Sequence, residues 1–121
     1  MKKLGFTLIE LLVVIAIIGI LIAVSTSSYI TTLKQSRDAK RKTDLEQIRQ
    51  ALETYRSEIG HYPPTKEVLV SDYITTLPTD PKEDGTTYTY TYSPAGSPLT
   101  TYELCAATLE ITSLPYCVKQ P

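Results

Sequence analysis

The sequence predicts an α+β fold in which one long N-terminal α-helix, over residues 6–59, packs on a small antiparallel β-sheet. Two observations support this prediction. No proline occurs before Pro63, and the hydrophobic residues up to that point are compatible with one continuous helix. Alternating β-forming residues appear in the C-terminal third of the chain, where they indicate short strands.

The first half of the predicted helix is apolar on every side. Between Phe6 and Val24, Glu10 is the only charged residue. At about 1.5 Å per residue, this segment nearly matches a hydrocarbon core about 30 Å thick and is predicted to span a membrane. The alternative is a cleaved signal peptide, for which Ala23-Val24-Ser25 offers a weak cleavage site. A carboxylate inside such a segment costs roughly 3 kcal/mol, so Glu10 needs a compensating partner. The alternative is that its side chain, near the start of the segment, extends to the cytoplasmic headgroups.

The second half of the helix is amphipathic. Its apolar residues recur every three or four positions and predict a face that packs on the sheet: Leu45, Ile48, Leu52, Tyr55 and Ile59. The polar residues between them are predicted to face outward: Asp44, Glu46, Gln47, Arg49, Gln50 and Glu53. Gly60 and the following Pro63-Pro64 pair predict the end of the helix.

Beyond the helix, the sequence predicts a short second helix over residues 67–74 and three strands, over residues 86–93, 102–111 and 116–118. In the first strand, Tyr88, Tyr90 and Tyr92 alternate with threonines and share one face. We expect these rings to cover the apolar face of the long helix.

The formal net charge of -1 lacks the basic excess of a nucleic-acid-binding domain, and we expect no specific nucleic-acid partner. A local basic run extends from Lys34 to Lys42 with Asp38 among the cations. It predicts a solvated helix face, with pairing to another subunit or to phosphate as the alternative.

The segment from Gly5 to Glu10, preceded by Lys2 and Lys3, resembles the leader and N-terminal helix of type IV prepilins and pseudopilins. The segments over residues 55–64 and 77–81 resemble those that follow the helix in the major pseudopilins of type II secretion and in short pilins. The resemblance implies a lollipop-shaped type IV pilin-like subunit. Its parts would be a leader peptide over residues 1–5, a membrane-spanning, fibre-core half of the helix over 6–24, and a head over 25–121 that includes the amphipathic half.

The same resemblance implies a processing site. A membrane-embedded prepilin peptidase would cut between Gly5 and Phe6 and methylate the new amino group of Phe6. Glu10 would pair with that amine, in its own chain or in the neighbouring subunit, and fix the axial register. From the residues themselves, Gly19 and Ala23 form a small-residue ridge that allows helices to approach closely.

The partners implied by the resemblance are further copies of the chain in a helical filament, the prepilin peptidase, and an inner-membrane assembly platform with a cytoplasmic ATPase. Membrane lipid would surround the helix before assembly. The precursor would be a single-pass protein of the cytoplasmic membrane with its head outside. The product would lie in an extracellular pilus or, alternatively, in a periplasmic pseudopilus.

Cys105 and Cys117 are the two cysteines of the chain. They resemble the C-terminal disulfide loop of many type IV pilins, a feature that major pseudopilins generally lack, and outside the cytoplasm we expect them to be paired. Two unpaired, buried cysteines are the alternative.

No pattern in the sequence supports an enzyme. His61 is the one histidine and has no second histidine or acid at ligand spacing, so we predict a surface loop residue rather than a zinc or catalytic site. No phosphate-binding loop is present, and no cofactor is expected. Asp80, Glu83 and Asp84 are weak calcium candidates by resemblance to type II pseudopilins, although their spacing does not match a known calcium loop.

The principal hypothesis is therefore a structural subunit of a type IV pilus that serves adhesion, motility or DNA uptake. A pseudopilin of a type II secretion or competence system is the alternative within the same class. A monomeric, bitopic membrane protein whose head binds a partner is the alternative from another class. Replacement of Glu10 by alanine separates the classes, because only a polymerising subunit needs the acid.

Overall fold

The computed structural model describes residues 5–120. In chain order it contains the helix α1 (Leu8–Ile59), a 3₁₀ turn (Lys66–Leu69) and the strands β1 (Tyr90–Ala95), β2 (Thr101–Ala106) and β3 (Tyr116–Lys119). The predicted α+β class, with one long N-terminal helix and a small antiparallel sheet, is confirmed. The chain divides into an N-terminal unit that ends at Leu33 and a C-terminal unit that begins at Lys34.

The ends of α1 follow from local chemistry. The helix begins at Leu8 rather than at the predicted Phe6, because Thr7 adopts the capping position in front of it. At the other end, the N–H of Gly60 donates to the carbonyl of Arg56 at 2.8 Å, and Gly60 has a φ of 90°. Only glycine adopts this left-handed conformation at little cost, so the predicted C-cap is confirmed.

The N-terminal unit consists of the apolar part of α1. Its large hydrophobic side chains are exposed along the whole length, for example Ile9, Val14 and Leu21. Within residues 5–120, α1 is the one helix whose length and composition would allow it to cross a membrane. A signal sequence near an N-terminus passes the same test, so this property alone does not identify a membrane anchor.

The sheet of the C-terminal unit has the order β1-β2-β3 and is antiparallel throughout. The predicted start of the first strand at residue 86 is wrong. The Oδ1 atom of Asp84 accepts hydrogen bonds from the backbone N–H groups of Thr86, Thr87 and Tyr88, at 2.9, 2.7 and 3.0 Å. This turn keeps the chain out of the sheet until Tyr90.

Two other predicted elements are shorter than expected. The second helix is reduced to the single 3₁₀ turn, which is followed by an isolated bridge between Val70 and Ile74. Strand β2 ends at Ala106 rather than at Ile111, because the following residues form a loop that returns to β3. That loop and the turn at Asp84 both bring polar residues to α1.

The core lies between the second half of α1 and the sheet. Leu45, Ile48 and Leu52 are fully buried, and they form one cluster with Tyr90, Tyr102 and Leu104 among others. The predicted apolar face is thus confirmed for these residues, with Tyr55 half-buried against the same cluster. It is wrong for Ile59, which is 50% exposed.

The tyrosines of the first strand divide between two environments. Tyr90 is buried and Tyr92 is half-buried in the core cluster, as predicted. Tyr88 precedes the strand and instead lies beside cations, with the guanidinium of Arg41 4.9 Å and the ammonium of Lys82 4.6 Å from its ring centre. These are cation–π distances, so Tyr88 belongs to a charged cluster rather than to the core.

Candidate functional site

The N-terminal end of α1 is closed by a reciprocal hydrogen-bond pair between Thr7 and Glu10. The backbone N–H of Glu10 donates to Oγ1 of Thr7 at 3.3 Å. The N–H and the hydroxyl of Thr7 both donate to Oε2 of Glu10, each at 2.8 Å. This is the capping-box arrangement, in which a threonine and a glutamate three residues later satisfy the free N–H groups of the first turn. Glu10 therefore already has partners in its own chain.

The sequence itself carries a signal for this cap. A Thr-x-x-Glu pattern directly before an apolar run is a known helix start. The charge of Glu10 in an apolar run predicts only a need for a partner, whereas the threonine three residues before it indicates the role at the helix end. The two interpretations are compatible, since Oε1 of Glu10 is not used in these hydrogen bonds.

The other predicted processing and assembly residues are accessible. Phe6 is 88% exposed, and Gly5 before it is also exposed. A Cβ atom built on Gly19 would meet no atom within 4 Å. The glycine thus has no neighbouring atom within the described part of the chain that limits approach by another helix. The roles of these residues in cleavage and assembly remain predictions.

A charged cluster in the C-terminal unit joins α1 to two loops, and Arg41 is its centre. The Arg41 side chain is fully buried. Its Nε and Nη2 atoms donate to Asp80 at 2.6 and 2.8 Å. Its Nη1 donates to Asp38 at 2.6 Å and to Glu110 at 3.2 Å. One guanidinium therefore pairs with three carboxylates from three separate segments, with the bidentate geometry that arginine favours.

The loop between β2 and β3 is held at the same place. Arg37 donates to both oxygens of Glu110, at 2.5 and 2.7 Å. Asp38 accepts the backbone N–H groups of Glu110 and Ile111 at 2.8 and 3.0 Å. These bonds fix the backbone of the loop as well as its side chains, so the loop is anchored to α1 by both kinds of contact.

The pKa values in the cluster follow its hydrogen bonds. The bond from Arg37, with further help from Arg41, lowers the pKa of Glu110 to about 2 against the opposing effect of burial. Burial acts to raise the pKa of Asp38, but the two backbone N–H groups and Arg41 together hold it below its ordinary value. Both carboxylates are therefore charged at neutral pH.

The helix face that carries the cluster differs from the prediction. Arg37 and Arg41 are not part of a solvated basic face, whereas Lys40 and Lys42 of the same run are exposed. Asp44 is buried rather than outward, because it accepts hydrogen bonds from Lys40 at 3.1 Å and from the hydroxyl of Tyr90 at 2.9 Å. Burial and the neighbouring Asp44 carboxylate together raise the pKa of Tyr90.

Cys105 and Cys117 form a disulfide, which confirms the predicted pairing. They are directly opposite each other in the β2–β3 register, with Cα atoms 4.0 Å apart. The bond closes the base of the loop whose backbone is held by Asp38. The loop between β2 and β3 is thus fixed at its base by the disulfide and along its length by the charged cluster.

The weak calcium candidates do not gather into an open acidic group. Both oxygens of Asp80 are bonded to Arg41, and Oδ1 of Asp84 accepts three backbone N–H groups of its own turn, while Glu83 is exposed. In residues 5–120, the one close group of three ligand-type side chains is Glu103, Cys105 and Cys117, and its cysteines are already bonded to each other.

His61 is half-buried rather than fully exposed. Its Nδ1 lies 2.9 Å from the carbonyl oxygen of Tyr62 and its ring is 6.2 Å from that of Tyr55. The residue thus packs at the end of α1, where we see no ligand group around it among the described residues.

Two protein families match the chain. The prokaryotic N-terminal methylation motif matches residues 1–26. The family described as type II secretion system protein G matches residues 28–108, which is more than half of the chain. The first match covers the predicted cleavage site and the apolar helix, and the second covers the rest of α1 and most of the sheet.

The individual relatives carry two kinds of name, type IV pilin and type II secretion system core protein G. The chain is similar to the type IV major pilin protein PilA of Myxococcus xanthus, with 41% identity over 58 residues, covering 48% of this chain and 26% of that protein. It is similar to the type II secretion system core protein G of Escherichia coli, with 34% identity over 70 residues, covering 58% and 48%. For core protein G of Vibrio cholerae the identity is 32% over 81 residues, covering 67% and 54%. The match thus spans about a quarter to about half of the length of these relatives. No solved structure matches the chain.

Proposed function

Because the chain belongs to the type II secretion system protein G family of pilin-like proteins, we propose that it is a structural subunit that polymerises through its N-terminal helix. The observation that carries this proposal is the apolar, solvent-exposed part of α1, which begins at the Thr7–Glu10 cap. Side chains such as Ile15, Leu21 and Val24 are left uncovered by the chain itself. They need lipid before assembly and other copies of the same helix afterwards.

The proposed maturation starts with cleavage between Gly5 and Phe6 by a prepilin peptidase, which then methylates the amine of Phe6. The matching methylation motif supports this step. The new amine is positive, and Glu10 offers it Oε1 while Oε2 stays bonded to Thr7. In a low-dielectric bundle, this pair compensates the charge of Glu10 and sets the position of one copy relative to the next.

Within this class we propose first a subunit of an extracellular type IV pilus. The Cys105–Cys117 loop supports this choice, because it resembles the disulfide loop of many type IV pilins. A pseudopilin of a secretion or DNA-uptake system is the second candidate, and the family match over residues 28–108 favours it. In both cases the chain is a structural component of a filament. An assembly platform with its own ATPase extends that filament.

The test uses two substitutions that separate the charge of Glu10 from its capping role. Glutamine can replace glutamate in a capping box, so Glu10→Gln keeps the cap and removes the charge, while Glu10→Ala removes both. We expect sheared filaments that contain the chain beginning at N-methylated Phe6 in the wild type, and a loss of filaments in both variants. Wild-type assembly by Glu10→Gln would show that the charge is not needed. Methylated protein found only in the membrane fraction would favour the pseudopilin, and an intact Met1 there would contradict the proposal.

A further inference from the structure

The exposed large aliphatic side chains of the C-terminal unit fall into two groups. Ile59, Val68 and Val70 are 50%, 43% and 38% exposed and form what we name the helix-end patch. Ile111 and Leu114 are 49% and 63% exposed and form the loop-tip patch. Single apolar residues scattered over a surface are ordinary. Here, in residues 34–120, they are confined to two places.

The two patches lie at opposite ends of the C-terminal part of α1. Asp38 binds the backbone N–H of Ile111, which places the loop-tip patch beside this part of the helix. The hydroxyl of Tyr73 donates to Glu58 at 2.7 Å, which places the segment with Val68 and Val70 beside the last turn. Twenty residues separate Asp38 from Glu58, and at 1.5 Å per residue this corresponds to about 30 Å.

Both patches are carried on fixed backbone. In the loop tip, the N–H of Leu109 donates to the carbonyl of Leu114 and the N–H of Ser113 to the carbonyl of Leu109, each at 2.9 Å. At the helix end, the N–H of Ser71 donates to the carbonyl of Ile74 at 3.0 Å. Surfaces that are already ordered lose little conformational entropy on binding.

The free charges beside the two patches have opposite signs. Lys34 lies one turn before Asp38 on the same helix face and has no salt-bridge partner among the described residues. Near the helix-end patch, Glu67 and Asp72 are exposed acids without a salt-bridge partner in residues 5–120. Two nearby cations are already engaged: Lys66 donates to the carbonyl oxygen of Tyr90 at 2.6 Å, and Arg56 donates to the hydroxyl of Tyr62 at 3.1 Å.

From this arrangement we infer that the loop-tip patch of one copy docks on the helix-end patch of a second copy. The inference rests on the proposed function, because copies whose α1 helices run parallel present unlike ends to each other. A contact between unlike patches leaves one free patch at each end and therefore continues as an open string. Lys34 approaches Glu67 and Asp72 in this contact, so charge complementarity selects the unlike pairing.

Cysteine cross-linking of the full chain in its membrane tests the contact. Leu114→Cys and Val68→Cys are introduced singly and together, and a short bismaleimide joins free thiols while the Cys105–Cys117 disulfide stays oxidised. We expect a ladder of dimers, trimers and longer products from the double variant and none from either single variant. A double variant of Leu114→Cys with Gln47→Cys is the matched control, because Gln47 is exposed and lies about halfway along the helix between Asp38 and Glu58.

The outcomes separate the inference from the function on which it rests. Sheared filaments without a ladder from the double variant would overturn the docking contact and leave the filament subunit intact. Dimers from a single variant would show contact between like patches and also overturn it. If neither sheared filaments nor a ladder is found, the result contradicts both the docking contact and the filament subunit. In the double variant, Lys34→Glu should weaken the ladder and the added Asp72→Lys should restore it, and an unchanged ladder would exclude the charge pairing.

Discussion

The guanidinium of Arg41 and the carboxylate of Asp80 form a fully buried, two-point ion pair, with Nε 2.6 Å from Oδ2 and Nη2 2.8 Å from Oδ1. Their positions are 39 residues apart in the chain, so the pair fixes the segment before the Asp84 turn to α1. Since Asp38 binds the same guanidinium, removal of Arg41 leaves both Asp80 and Asp38 without this cation, while Glu110 keeps Arg37.

We predict that Arg41→Met destabilises the C-terminal unit by about 3–5 kcal/mol, the usual cost of an unpaired buried charge. The free energy of unfolding of the full chain in detergent is measured by tyrosine fluorescence, because eight of the nine tyrosines lie beyond Lys34. Arg49→Met is the control, since the Arg49–Glu46 pair is 38% and 44% exposed and is expected to contribute under about 1 kcal/mol. Equal losses in the two variants would contradict this prediction.

The free energy of unfolding should depend on pH through the protonation of the Glu110 carboxylate. Its pKa is about 2 in the folded chain against an ordinary value of 4.5, so the folded state favours the charged form. A depressed pKa stabilises the fold above pH 4.5, and this contribution is lost as the pH falls from 4.5 to about 2. We expect Glu110→Gln to be less stable than the wild type at pH 7 and to approach it near pH 2.

The measurement is a series of denaturant titrations of the full chain across this pH range. Asp84, whose pKa is also about 2, titrates in the same window in both proteins and cancels in their difference. A constant difference in the free energy of unfolding from pH 7 to pH 2 would show that the Glu110 carboxylate is not coupled to folding.

The disulfide should contribute through loop closure. Cys105 and Cys117 are 12 positions apart, and a loop of this size restricts the unfolded chain by roughly 3 kcal/mol. We expect the double variant Cys105→Ala with Cys117→Ala to lose about this amount. Addition of a reductant should lower the stability of the wild type alone. If the reductant leaves the free energy of unfolding of the wild type unchanged, the predicted contribution of the disulfide is contradicted.

The features predicted correctly from the sequence are those with local signals. The faces of α1 at Leu45, Ile48 and Leu52 follow from a period that neighbouring residues establish, and the C-cap follows from one glycine. The Arg41 cluster could not be predicted in this way. Arg41 continues the three- and four-residue spacing of Leu45 and Ile48, so the pattern places it on the buried face of α1, unlike Lys40 and Lys42. Two of its three carboxylate partners, however, are 39 and 69 residues away in the chain, and no local spacing predicts them.

The predicted starts of β1 and α1 are misplaced for a different reason. At each start, two signals in the sequence compete. At β1, the alternation of tyrosine and threonine favoured a strand from residue 86, but the side chain of Asp84 offers the backbone a turn instead. At the start of α1, the Thr7-x-x-Glu10 pattern marks the cap directly. Short polar side chains beside the backbone therefore decide both boundaries over the longer pattern.

The capping box leads to a last prediction, about Thr7. Thr7→Val keeps the shape and the backbone N–H but removes the hydroxyl that accepts from Glu10 and donates to it, whereas Thr7→Ser keeps the hydroxyl. Loss of an N-cap costs about 1 kcal/mol, which corresponds to a roughly fivefold larger population of the open first turn. Amide hydrogen exchange at Glu10 in the full chain in detergent should therefore accelerate in Thr7→Val and remain unchanged in Thr7→Ser. Filament yield should follow the same order, because a frayed first turn no longer fixes Glu10 for the proposed pair with the Phe6 amine. If Thr7→Val abolishes filaments but leaves amide hydrogen exchange at Glu10 unchanged, Thr7 contributes to a contact between subunits and not to the cap.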